Sequence, residues 1–287
     1  MNKYKKLLSL FLLMMTILSV PVLAENSQSE EILILGNDLS PQMIQELKQV
    51  YGITGPIEEL IITNKEEHEA LGEYISAEVI TDKSMSSAYV KLLEPGSGIR
   101  VKTHNINWVT EDMYRNALST AGIKDAEVMV AGPFPVSGTA ALTGSMKAYE
   151  HLTGIEISEE NKDAANDEMI TTVELGDEIG KDQAEKIITE VKIFITENDI
   201  KDPEVIREAI EDAADNINIT LTDEQMEQIT KLMEKISKIE IDVDEMKSQL
   251  GDMIDKIDQI DINTEEVKGI LFRMIDSIKG FFDRIFG

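Results

Sequence analysis

The sequence predicts an α+β fold: a mixed β-sheet domain in the order β-α-β-α-β-β-α-β, followed by an all-helical C-terminal region. Three observations predict it. Short apolar runs alternate with helical spacings between residues 31 and 136, and only helical spacings remain from 158 onward. The charge density changes at the same place. Residues 25–154 hold 9 basic and 19 acidic groups, whereas residues 155–267 hold 11 and 34.

Glu31-Ile32-Leu33-Ile34-Leu35 reads as a short buried strand ending at Gly36. Ser40 is placed to cap a helix that begins at Pro41, because proline suits the first helical position. Met43, Ile44, Leu47 and Val50 recur at helical spacing, and Gly52 ends the run. Residues 57–63 form a second strand, and Asn64 is expected to cap a helix over 65–71. Residues 88–94 and 99–105 flank Pro95-Gly96-Ser97-Gly98, which reads as a hairpin signal. Thr110 caps the next helix, with Glu111 and Asp112 in its first turn, where the dipole favours anions. That helix stops at Gly122; residues 126–130 are a last strand and 138–154 a helix of their own. Further helices are expected at about 158–174, 182–197, 203–216, 222–238, 243–260 and 264–286. The apolar stripes on either side of Ile239-Glu240-Ile241-Asp242 are out of register, so a helix–loop–helix is expected there.

The first residues read as an export signal. Lys3, Lys5 and Lys6 precede an apolar stretch from Leu7 to Val20, and Val22-Leu23-Ala24 supplies small residues for cleavage after Ala24. Removal of residues 1–24 takes three lysines and no acid from the net charge of −28, leaving −31. The expected organisation is a signal peptide at 1–24, an α+β domain at 25–154, an acidic helical domain at 155–263 and an amphipathic helix at 264–287.

Composition excludes several functions. The chain has no Cys, which removes disulfides, thiol catalysis and iron–sulfur ligation. Its acidity has the wrong sign for binding a nucleic-acid backbone. His68-Glu69 has Gly72 where the second histidine of a zinc helix would stand. Asp255 to Glu266 lacks the ligands and glycine that a calcium loop needs at positions 3, 5 and 6. No metal and no cofactor are expected.

Several segments together resemble one family. They are Asn64-Lys65-Glu66-Glu67-His68-Glu69, Thr103-His104-Asn105-Ile106, Thr110-Glu111-Asp112-Met113-Tyr114 and Ser137-Gly138-Thr139-Ala140-Ala141-Leu142-Thr143-Gly144. The chain is similar to the YpuA-type exported proteins of Gram-positive bacteria, catalogued as domain of unknown function 1002. The resemblance extends over essentially the whole mature chain. It implies export to a Gram-positive envelope and no particular activity.

Two places stand out as sites. The run Ser137, Gly138, Thr139, Thr143 and Gly144 opens a helix with small and hydroxylated residues, which suits either an anion or close packing. His104 is the nearest candidate base, at the end of a strand. At the other end of the chain, Phe272, Phe281, Phe282 and Phe286 lie with Lys268, Arg273, Lys279 and Arg284 on a stretch of net charge +2. An apolar arc with basic flanks suits a membrane surface, and equally a partner helix or the acidic helices of the chain itself. Two functions are therefore carried forward. One is a non-enzymatic, envelope-associated binding protein, whose partner is a surface polymer, the membrane or another envelope protein. The alternative is a hydrolase of envelope material with its site at Ser137–Gly144 and His104.

Overall fold

A computed structural model describes residues 30–72, 74–75 and 82–250. The segments expected to be a signal peptide and a terminal amphipathic helix, the latter with Lys268, Phe272, Arg273, Lys279, Phe281, Phe282, Arg284 and Phe286, lie outside the described residues.

The first five strands and four helices follow the expected order. They are β1 (Glu31–Gly36), α1 (Pro41–Val50), β2 (Glu59–Ile62), α2 (Asn64–Leu71), β3 (Ser87–Leu92), β4 (Arg100–Ile106), α3 (Glu111–Thr120), β5 (Ala126–Val136) and α4 (Thr139–Thr153). Local chemistry sets their ends. Ser40 accepts the Met43 N–H and Thr110 accepts the Met113 N–H, each closing an otherwise unpaired donor. The second helix is capped one residue earlier than expected. Thr63, not Asn64, accepts the Glu66 N–H, and Glu66 returns a bond to the Thr63 N–H, because a Thr-x-x-Glu box satisfies two donors at once.

The strands form one mixed sheet in the order β2-β1-β3-β5-β4. β1 runs parallel to β2 and antiparallel to β3; β5 runs antiparallel to β3 and parallel to β4. The hairpin expected across Pro95–Gly98 does not form, because β5 inserts between β3 and β4. The 93–98 loop instead crosses the start of β5: the Leu93 N–H donates to the Asp125 carbonyl and the Gly98 N–H to the Asp125 carboxylate. The burial patterns account for the order. Ala126, Val128, Val130 and Ala131 are buried and suit an interior strand, whereas Arg100, Lys102 and His104 are polar and suit an edge.

Alternate β1 residues go to opposite faces, as the two-residue period requires. Ile32 and Ile34 pack with Tyr114 and Leu118 of α3 and Leu142 and Met146 of α4. Leu33 and Leu35 pack with Leu47 of α1, Tyr51 and Tyr89. The sheet therefore lies between α1 on one side and α3 and α4 on the other.

The helical part consists of α5 (Glu159–Ile179), α6 (Lys181–Glu197), α7 (Pro203–Asn216) and α8 (Asp223–Ile236), and residues 243–250 are helical to the end of the described chain. α5 continues beyond the expected stop near 174. Ala165, Met169, Ile170 and Val173 belong to the core of the sheet, while Ala164 and Leu175 belong to that of the helices. The turn between 237 and 242 matches the expected break in register. The following helix returns to the sheet: the Asp125 N–H donates to Gln249 Oε1, the Ile99 N–H meets the Gln249 carbonyl and Lys124 pairs with Glu245. No helix among the described residues is long and apolar enough to cross a membrane.

Candidate functional site

β5 changes course before it ends. Its sequence there is Gly132-Pro133-Phe134-Pro135-Val136. Two prolines remove the donors a ladder would need, so this stretch can only bulge away from β4. Pairing passes from His104 opposite Ala131 to Ile106 opposite Val136, so one residue of β4 spans four of β5. Asn105 fills the gap with a left-handed φ of 56° and donates its carboxamide N–H to the Gly132 carbonyl. The excursion carries Phe134 outward, leaving it 44% exposed.

The chain then turns into α4 at Gly138. Its φ is 96°, and a Cβ there would stand 2.3 Å from the Tyr114 hydroxyl, so only glycine fits. The Tyr114 hydroxyl donates to the Gly138 carbonyl at 2.6 Å and holds the turn. α4 has no cap from its own flanking residue. Glu67 of α2 does that work instead. Its carboxylate accepts the Thr139 hydroxyl at 2.6 Å and a bond from the Ala140 N–H, so the anion position at the helix start is filled from within the chain. Glu67 is only 4% exposed. Burial pushes its carboxyl above the usual range; the Thr139 hydroxyl, the charge of His68 and the Ala140 N–H draw it part of the way back.

In front of this helix start lies a cavity of about 480 Å³. Its walls come from Asp82, Lys83, Met85 and Ser86, from Asn107, from Phe134 to Ala140 and from Glu67. Ser137, Gly138 and Thr139 thus line one cavity. Thr143 does not join them. It lines a second cavity of about 450 Å³ with Glu66, Lys147 and Asn166. Gly144 faces the sheet, where a Cβ would come within 2.7 Å of Ile34 Cγ2. His104 lies exposed on β4 and is not among the residues lining either cavity. His151 pairs with Glu58 at 2.8 Å on the surface.

Three contributors are absent from the sequence reading: Glu67 as the cap of α4, Asn107, and Phe134. The Pro-x-Pro bracket around Phe134 was a local signal of a bulge. Glu67 lies 72 residues from Thr139 and has no local signal for that contact.

Fold and site together define a layered α+β protein with an amphipathic cavity where an interior strand, β5, gives way to a helix. The chain belongs to the family described as Protein of unknown function (DUF1002), whose model matches residues 35–253. It is similar to the "Uncharacterized protein YpuA" of Bacillus subtilis (strain 168), with 43% identity over 221 residues, covering 77% of this chain and 76% of that one. No solved structure matches.

Proposed function

We propose that this chain is an exported protein of a Gram-positive envelope that works by binding, through the cavity at the start of α4. Exposure of Phe134 on the cavity wall carries the reading: a large apolar side chain beside polar groups is what a recognition surface offers. The hydroxyl best placed for chemistry, that of Thr139, is engaged by Glu67, and His104 stands outside the cavity. Export rests on the basic and apolar leader ending in Val22-Leu23-Ala24. The basic, phenylalanine-rich stretch 264–287 is the proposed contact with the membrane surface or an envelope partner.

The test has two parts. Secreted protein is sequenced from its N-terminus, with Glu25 expected first; a start at Met1 overturns export. The mature chain is then sedimented with purified cell-wall sacculi, with and without Phe134→Ala. Retention that the substitution abolishes supports the reading, and absence of retention overturns it.

A further inference from the structure

We infer that the cavity at the start of α4 takes a neutral saccharide unit, the apolar face of one sugar ring lying on Phe134 and its hydroxyls meeting Ser86, Asn107 and Asp82. This rests on the binding reading above and supplies its ligand class.

The argument begins with unused hydrogen-bonding groups. Ser86 is only 4% exposed and lines the cavity, and its hydroxyl meets no hydrogen-bond partner among the described residues. A hydroxyl that opens onto a cavity in this way is free to meet a ligand. The carboxamide of Asn107 and the carboxylate of Asp82 line the same space, and neither has a hydrogen-bond partner among the described residues. Between them they offer both donors and acceptors, and two of the three groups are planar and bidentate, a geometry that matches neighbouring hydroxyls. The lining also has apolar side chains, Met85 and Phe134, the latter 44% exposed between two prolines that restrict its backbone. An aromatic side chain in one cavity with a group of polar side chains suits a ligand with one apolar face and a hydroxylated rim.

Other ligand chemistries fit less well. An anion would have to displace Glu67 from the helix start and would approach Asp82, and Lys83, which also lines the space, is already engaged. A peptide adding a strand needs an unbroken run of backbone groups, which Pro133 and Pro135 interrupt on the wall at Phe134, and three groups nearby are already paired. The Asn107 N–H donates to the Val136 carbonyl at 3.0 Å, the Val109 N–H to the Ser137 carbonyl at 3.3 Å and the Gly36 N–H to the Ser86 carbonyl at 3.0 Å. Recognition is left to side chains. A cavity of about 480 Å³ lies within the range of small-ligand sites.

Isothermal titration of the mature chain with maltotriose and with chitotriose tests this, with trialanine and inorganic phosphate as competing classes. One of the two trisaccharides is expected to bind with Kd below about 1 mM. Phe134→Ala and Asn107→Ala are each expected to weaken binding about tenfold, with the unfolding midpoint unchanged. Heat from neither trisaccharide at about 10 mM overturns the inference. So does equal or tighter binding of trialanine or phosphate, or undiminished binding by both variants. If the trisaccharides fail while Phe134→Ala still abolishes retention on sacculi, the ligand class falls and the binding reading stands; if both fail, both fall.

Discussion

Glu168 of α5 and Lys192 of α6 form an ion pair at 2.8 Å, with side-chain exposures of 1% and 0%. Two residues of α3 complete the arrangement: the Thr120 hydroxyl donates to Glu168, and Lys192 donates to the Asn116 carbonyl. Burial pushes the carboxyl up and the ammonium down, each towards its neutral form, so the two hold their charges only through each other. Lys192→Met strands a buried carboxylate and is expected to cost about 3–5 kcal/mol in urea unfolding. Adding Glu168→Leu should recover most of that loss. A double variant no more stable than the single one would show that the pair is not coupled.

Glu185 predicts how stability depends on pH. It sits in the first turns of α6, bonded by the Thr110 hydroxyl at the start of α3. Burial raises its carboxyl to about 7; the Thr110 bond and Lys181 pull down, and Asp112 and Asp182 push further up. The folded chain therefore holds a proton that the unfolded chain releases at lower pH. Its contribution is fully present below the unfolded value and is lost as pH rises from about 4.5 to about 7. Glu185→Gln keeps an acceptor for Thr110 and removes the charge. It is expected to be more stable than the parent by about 2–3 kcal/mol at pH 8 and equal to it near pH 4. An equal pH dependence in both proteins would contradict this.

The contact between Glu67 and the start of α4 gives a third expectation. Glu67→Ala removes a carboxylate cap from a helix that has no other, at an expected cost of about 1–2 kcal/mol. Glu67→Gln keeps an acceptor for Thr139 and should cost about half as much. Equilibrium unfolding of the two variants checks both the size and the order.

Limited proteolysis gives a fourth. Residues 154–156 and 197–199 are exposed between helices, and Ile155 is 60% exposed. First cuts are expected at 154–156 and 198–203. Inside α5, Ala165, Met169 and Val173 are fully buried, so an early cut between 160 and 178 would contradict the packing.

The features legible in the sequence are those decided within a few residues. Ser40 and Thr110 cap their helices through neighbours three positions away, and Gly138 and Gly154 bound α4 through left-handed φ values of 96° and 69°. Sheet order is not a local property. Pro95–Gly98 has the composition of a hairpin, yet the partner of β3 is chosen by which strand is apolar enough to lie inside the sheet, and that strand is β5. The site divides in the same way. The run from Ser137 to Gly144 was visible, but successive turns of a helix face different surroundings, so Thr139 meets one cavity, Thr143 another and Gly144 the sheet. The cap supplied by Glu67 depends on α2 packing across α4, a tertiary event without a sequence signature.

The docking of Gln249 against Asp125 gives the molecule two poles. Asp125 precedes the first residue of β5, and the cavity lies beyond its last, 11 residues on. The bulge shortens that span: β4 covers it in six steps from Arg100 to Ile106, roughly 20 Å. The described chain thus ends at the pole away from the cavity mouth. A surface that grips the protein just beyond Leu250 would hold the mouth outward, so that tethering and recognition would not compete for the same face.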